Sequence, residues 1–461
     1  MAQIGFTHPT PPQKPSRGPI DPLHILLRFD SGKLISFMDA LCHLLILGTT
    51  GAGKTQSAVL PMLWRLIQAG YCGLVADLKG NLRAGARALA RQCGRLKDVF
   101  EIGSSSSATP LNLLCGMTMH VVREFLTTLT LRNLQGNFHN ADWHLKGINQ
   151  ACDCVQLLRY LTVLNPAFEP TLVMIAEMLN DLELCARLFK LFKESPAYDK
   201  NDAQQRRFVR GIESNAFHVF KYDAKKSEGD HSSDFMSQVT WNLQGIRMAL
   251  RSFLDAPGVS RGFATQGAPG LDMRELLKQG KIVLLRFGPE TGPVGASLAR
   301  MVLETYYEAV YAIGLTLDEG RYTFAVLDEY QDMADLSTNR LSDASFIAQA
   351  REFRSAFIAA TQSLAALNRG NSMAAVDSFV SNCNNRIIFY SDDPHTQEMA
   401  SHCDPNVRLN DLQPGQAFVI RYEADSHTHA SGMETLQRAY DDTRKILKQQ
   451  GDADKGGPHD R

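Results

Sequence analysis

The stretch Gly48-Thr49-Thr50-Gly51-Ala52-Gly53-Lys54-Thr55 constrains this chain more than any other. It fits G-x-x-x-x-G-K-[ST], a loop whose backbone N–H groups cradle phosphates. Its flanks agree with that reading. His43-Leu44-Leu45-Ile46-Leu47 is an apolar run of strand length, and from Thr55 to Ala69 the residues Val59, Leu60, Leu63 and Ile67 fall on one side of a helix. Pro61 removes one backbone donor within that helix and predicts a kink. Glycines let the backbone face an anion, and the helix N-terminus adds positive potential. Gly48, Thr49, Thr50, Gly51, Ala52, Gly53, Lys54, Thr55 and Gln56 are therefore the expected nucleotide-binding residues. Lys54 would reach the β- and γ-phosphates and the Thr55 hydroxyl would bind Mg²⁺, so the expected cofactors are ATP and Mg²⁺.

A chain of 461 residues has room for two or three domains around such a loop. Its 44% hydrophobic and 21% charged content is that of an ordinary globular protein. With a net charge of −1 there is no global basic field, and any nucleic-acid binding must use a local patch or a ring formed by assembly. The nine cysteines include no C-x-x-C pair, which argues against a disulfide framework or a zinc ribbon and for thiols in a reducing cytoplasm. No apolar stretch approaches the roughly 18 residues of a membrane span, so no direct span is expected.

Further strands are expected at Gly73–Asp77, Val99–Ile102, Lys281–Phe287, Tyr322–Leu327, Ala356–Thr361, Arg386–Tyr390 and Ala417–Arg421, with helices between them. Alternation of this kind predicts an α/β fold with a mostly parallel central sheet. From about 116 to 250 the strand signals vanish and helical spacing takes over, as in Val121/Phe125/Leu129, which predicts an inserted all-α domain. The expected division is a Pro-rich arm and lead-in over 1–34, a nucleotide-binding domain over 35–115 plus 251–447, the all-α domain over 116–250, and a disordered polar tail over 448–461. Arg83, Arg87, Arg91 and Arg95, four residues apart, read either as a solvated helix face or as a phosphate-contacting stripe.

Tyr322 to Glu329 is an apolar run ending in two acids. P-loop hydrolases need a carboxylate at a strand tip beside the loop's own strand. Asp328 would support the metal, and Glu329 would orient or deprotonate the attacking water. Ala356–Thr361 ends in Gln362, whose amide could contact the γ-phosphate or that water. Arg351 could stabilise charge developing on the phosphoryl group, supplied to a neighbouring subunit in a ring. The expected catalytic set is Lys54, Glu329, Gln362 and Arg351, with Thr55 and Asp328 at the metal.

Together these residues resemble the conjugative coupling ATPases of type IV secretion, the TraG/TraD family within the FtsK/HerA superfamily, over about residues 35–445. His43 through Thr55 is similar to the family's "H-x-x-x-x-G-x-T-G-x-G-K-[ST]". Asp77-Leu78-Lys79-Gly80-Asn81 resembles "D-P-K-G-E", with Leu78 for Pro and Asn81 for Glu. Thr109-Pro110-Leu111 resembles "N-P-L", and Asp142-Trp143 the opening of the helical domain. Asp328-Glu329-Tyr330 is similar to "D-E-F", and Phe379 through Cys383 to "I-x-x-N-C". Arg351 and Gln362 are similar to "G-R-K-x-G…T-Q-S", from which Ala350 and Glu352 depart. The resemblance implies a RecA-like domain with an inserted helical domain, a hexameric ring around DNA, and ATP hydrolysis coupled to DNA movement. The family usually carries N-terminal membrane helices, so the expectation here is a cytoplasmic protein recruited to the inner membrane by a membrane-anchored partner. Three other readings compete. They are a nucleotide-gated docking receptor for protein substrates, a cytosolic DNA-processing or defence ATPase, and a small-molecule kinase. DNA stimulation of the ATPase separates a motor from a docking switch.

Overall fold

The computed structural model describes residues 24–80, 82–133, 141–223, 233–314, 322–423 and 428–455. Residues 1–23 of the expected Pro-rich arm and lead-in and the last residues of the expected tail lie outside these. Eleven strands form two sheets among the described residues. β1 (Ile25–Arg28) and β2 (Leu34–Ser36) make a small antiparallel pair. The main sheet comprises β3 (Leu44–Leu47), β4 (Cys72–Asp77), β5 (Val99–Gly103), β6 (Ile282–Arg286), β7 (Thr323–Asp328), β8 (Ser355–Thr361), β9 (Asn385–Ile388), β10 (Gln416–Glu423) and β11 (Thr428–Thr435). Its order is β11-β10-β9-β3-β8-β7-β4-β6-β5. The run from β9 to β5 is parallel, and β10 and β11 close one edge antiparallel.

A sheet covered on both faces needs apolar side chains on both, which is why its strands read as unbroken hydrophobic runs. Leu45, Leu47, Leu74, Ala76, Leu285, Leu327 and Phe357 face one way, and Leu44, Ile46, Val75, Leu284, Val326 and Ile358 the other. The second face is covered by the helix Leu60–Gln68, the helix Leu82–Gln92 and the β1–β2 pair. The helix Gln437–Lys455 packs on this side as well, and it continues past residue 448, where the sequence predicts a disordered tail. The first face is covered by the helices Gly292–Gly314, Asp343–Ala350 and Met373–Asn382.

Among the described residues, six helices of eight or more residues lie between β5 and β6: Met119–Asn133, Ala141–Leu161, Leu172–Asn180, Leu182–Glu194, Ala203–Ser214 and Ser233–Asp255. Thr171, Asp181 and Asp202 cap three of them through side-chain oxygens on free backbone N–H groups. Ala141–Leu161 and Ser233–Asp255 cross closely because position 147 is glycine; a Cβ there would stand 2.1 Å from the Asn242 carbonyl oxygen. The buried side chains of this helical run join those of the first sheet face in one continuous cluster.

Two local expectations need correction. The strand that ends in Asp328 is not beside the P-loop strand; β8 lies between β3 and β7 and carries Thr361 and Gln362 to the same edge. The helix after the loop is not a single α-helix interrupted by Pro61. It opens with a wider π-helical turn over Thr55–Val59, in which the Leu60 N–H reaches the Thr55 carbonyl, and Pro61 then falls in the first turn of the α-helical part, where no donor is needed.

Candidate functional site

The carboxyl ends of β3, β8, β7 and β4 sit side by side, and each delivers polar groups to one place. After β3 the chain turns through Gly48, Gly51 and Gly53 at φ of 151°, 86° and 98°. At Gly48 a side chain is excluded twice, by this left-handed backbone and by Phe389, whose Cβ would lie 2.8 Å from an added one. The Gly48 N–H donates to the Gln362 carbonyl at 3.3 Å and the Thr49 N–H to that of Tyr390 at 3.0 Å, so the loop is tied to the strands on both sides.

Lys54 folds back over this loop, its ammonium donating to the Gly48 and Thr49 carbonyls at 2.5 and 3.1 Å. Burial pulls its pKa down, and the charges of Glu329 and Asp328 oppose that shift. The Thr55 hydroxyl donates to Asp328 Oδ2 at 3.0 Å, so the two groups expected at a divalent cation already touch. Burial pushes the Asp328 carboxyl up, and the Thr55 hydrogen bond works against it. A hydroxyl and a carboxylate converging beside a phosphate-sized glycine cradle are a donor set suited to Mg²⁺ and a nucleotide. Among the described residues no group of three or more His, Cys, Asp or Glu gathers to hold a metal without such a ligand.

Glu329 takes φ 51° and ψ 44°, left-handed for a residue with a side chain. Such a conformation costs on the order of 1 kcal/mol and clusters where function requires it. The turn aims the carboxylate back over the sheet edge. Lys79 Nζ lies 2.5 Å from Oε1, while Oε2 accepts from Gln331 Nε2 at 2.6 Å and Gln362 Nε2 at 3.0 Å. The Thr361 hydroxyl in turn donates to Gln331 Oε1 at 2.8 Å. Burial raises the Glu329 carboxyl, but these hydrogen bonds and the Lys79 charge bring it below its usual range. Behind β4, Asp77 caps the next helix: its two oxygens accept from the N–H groups of Lys79, Gly80, Leu82 and Arg83.

Lys54, Thr55, Asp328, Glu329 and Gln362 thus meet, whereas Arg351 stands apart. It follows the helix Asp343–Ala350, ahead of β8, and its charge bears on Cys42 and His43. The seven residues of β8 separate it from Gln362, roughly 20 Å at strand rise. It cannot reach the nucleotide site of its own chain. The arginine stripe also divides. Arg83 and Arg87 pair with Glu101 at 2.5 and 3.1 Å, while Arg95 is buried beyond the helix, its guanidinium on the carbonyls of Ile67, Tyr71 and Gly280. Sequence reasoning missed Lys79 and Gln331 as partners of Glu329. Their only signals are a cation after the second strand and an amide two residues past the acid.

A second polar network begins one residue on. Tyr330 is buried, and its hydroxyl donates to Asp343 Oδ2 at 2.5 Å. Asp343 also accepts from Tyr307, from the Asp335 N–H, and from Arg300, which is itself bound to Glu304 and the Leu341 carbonyl.

Residues 264–407 match the family model described as the type IV secretion-system coupling protein DNA-binding domain. No curated protein sequence is similar enough to register as a relative. Among solved structures, the bacterial conjugative coupling protein TrwBdeltaN70 in its unbound monoclinic form aligns over 90% of this chain and 81% of its own, at 12% identity and a TM-score of 0.53. The plasmid coupling protein TrwB in complex with a non-hydrolysable ATP analogue aligns over 89% of each chain, at 13% identity and a TM-score of 0.58. The same protein in complex with ADP and Mg²⁺ gives 12% identity and a TM-score of 0.58. The expected RecA-like fold and the resemblance to coupling proteins are borne out, and among the described residues no helix is long and apolar enough to cross a membrane. Over residues 264–407 this chain matches the type IV secretion coupling-protein family, and across some nine-tenths of its length it has the fold of conjugative coupling proteins.

Proposed function

We propose that this protein is an ATP-hydrolysing DNA translocase of the conjugative coupling-protein type, delivering DNA to a type IV secretion apparatus. The observation that carries the reading is the convergence of Lys54, Thr55, Asp328, Glu329 and Gln362 at one sheet edge. The coupling-protein match over 264–407 spans β6, β7, β8 and β9 and so contains three of those five residues. ATP and Mg²⁺ are the cofactors, a reading supported by the TrwB complexes with ADP and Mg²⁺ and with a non-hydrolysable ATP analogue.

In this mechanism Lys54 leaves the carbonyls of its own loop for the phosphates, and the loop N–H groups orient them. Thr55 and Asp328 hold Mg²⁺, which neutralises charge on the β- and γ-phosphates when bound. Glu329 takes a proton from the attacking water. The Gln362 amide, between the P-loop strand and Glu329, senses whether a γ-phosphate is in place. Arg351, exposed and remote from its own site, serves the neighbouring subunit of a hexameric ring that surrounds DNA. The helices of 116–250 form the unit that selects substrate, and a membrane-anchored partner recruits the ring to the cytoplasmic face of the inner membrane.

One observation favours a second reading, a docking receptor for protein substrates. Trp241 and Met248 on the helix Ser233–Asp255 are more than half exposed, and Trp241 lies 4.9 Å from the ring of Trp143. Steady-state ATPase activity with and without single- and double-stranded DNA, beside Glu329→Gln, separates the two. Strong DNA stimulation abolished by the substitution supports the motor and identifies its track. A low rate indifferent to DNA, in protein that binds ATP, favours docking.

A further inference from the structure

Glu329 has two carboxylate oxygens, and their partners differ in kind. Oε2 is held by two amides, Gln331 and Gln362, both anchored to the sheet edge. Among the described residues Oε1 has one partner, the Lys79 ammonium at 2.5 Å. That oxygen is the one left to accept a proton from water, and Lys79 covers it. The Lys79 backbone is fixed, since its N–H donates to Asp77 Oδ1. Its side chain is not: it is 36% exposed and borders a cavity of about 380 Å³ walled by Leu78, Phe287, Gly288, Pro289, Gly292 and Asp332. The base is inside and its cationic partner reaches outside.

We propose that Lys79 is a latch on Glu329, released when a phosphate group entering this cavity draws the ammonium away, and that the phosphate belongs to a DNA backbone. Two carboxylates, Glu329 and Asp332, compete with any such anion for Lys79. A single free phosphate gains little against them. Duplex DNA carries about one negative charge per 1.7 Å of its axis and can hold several phosphates near the cavity mouth at once. Once Lys79 moves, Oε1 accepts the proton of the water as the new O–Pγ bond forms. The bond from Pγ to the β,γ-bridging oxygen breaks, and ADP leaves with its electron pair. Oε2 stays on Gln331 and Gln362, so the carboxylate keeps its aim. Lys79 is thus a positioning residue, and hydrolysis without a track is suppressed at the base rather than at nucleotide binding.

The DNA half of this proposal rests on the translocase reading, and the latch rests on the part of it that makes Glu329 the base of ATP hydrolysis. The test is ATPase activity of the full chain with Lys79→Ala and Lys79→Arg, without DNA, with a single-stranded oligonucleotide, with linear duplex, and with inorganic phosphate. The latch predicts that Lys79→Ala raises the DNA-free kcat on the order of tenfold, a fraction of what general bases contribute, with KM for ATP unchanged. DNA then adds little further, inorganic phosphate changes nothing, and Lys79→Arg behaves as the parent does. A DNA-free rate in Lys79→Ala equal to or below the parent's, with the same fold stimulation by DNA, overturns the latch. A raised rate in Lys79→Ala beside a parent indifferent to DNA supports the latch and overturns DNA as the releasing anion.

Discussion

Glu329 and Tyr330 are neighbours in sequence, yet they enter two polar networks built on opposite terms. The network around Glu329 is half-open: Lys79 reaches solvent from one carboxylate oxygen, while Gln331 and Gln362 hold the other. The network around Tyr330 is shut. Asp343 is 0% and Arg300 1% exposed, and every oxygen of the carboxylate is engaged. Burial pushes the pKa of Tyr330 and Tyr307 up and the Asp343 charge adds to it, which keeps both phenols as donors. The role proposed for Glu329, a base that must change partners, needs a fixed point beside it, and the closed network supplies that point one peptide bond away.

The largest effect expected from breaking this contrast is that of Asp343→Ala. It strands the Arg300 charge with Glu304 and a carbonyl and orphans two phenols. A broken buried pair costs about 3–5 kcal/mol, so urea denaturation should show a midpoint lowered to match. A loss under about 1 kcal/mol would mean that the network is no anchor.

His43 sharpens the comparison, because it is buried like Asp343 but among the described residues has no charged hydrogen-bond partner. Its Nε2 lies 2.7 Å from the Ile347 carbonyl, and burial lowers its pKa from 6.5 to about 4. Between those values the unfolded chain binds a proton that the folded chain does not, so stability is present above pH 6.5 and is lost as pH falls toward 4. At 1.36 kcal/mol per pH unit the loss approaches about 3 kcal/mol. Asn tolerates the left-handed backbone at this position (φ 61°), so His43→Asn should flatten this part of the pH–stability curve. An unchanged slope would assign it to other groups.

The smallest effect belongs to Tyr330→Phe, which removes one donor and leaves the salt bridge intact. About 1–2 kcal/mol of stability should go, with KM for ATP unchanged. A selective fall in kcat would show that the closed network also tunes the base.

Much of this was legible because parallel strands buried on both faces announce themselves as apolar runs, and the candidate catalytic groups sit at their ends. Asp328, Glu329 and Gln362 were found that way, and the loop at Gly48–Thr55 by its glycines. What stayed hidden was lateral. No local pattern says that β8 slips between β3 and β7, since strand order is settled by chain crossings far apart in sequence. β1 and β2 are four and three residues long, too short for a period to emerge. β11 is an exposed edge, Thr428–Thr435, with few apolar residues to alternate. The four-residue arginine spacing gave no warning that the chain leaves the helix before Arg95 and buries it among carbonyls. The meeting of Lys79 with Glu329 joins residues 250 positions apart, and only the fold could disclose it.

The apolar cluster that runs unbroken from the first sheet face through the helices between β5 and β6 has a consequence for how the molecule melts. Excising that helical run would not release an independent lobe. It would bare apolar side chains of the helix Gly292–Gly314, which itself covers one face of the nucleotide-binding sheet. Heating should therefore give one cooperative calorimetric transition rather than two, with nucleotide raising the melting temperature of the helical run as much as that of the sheet.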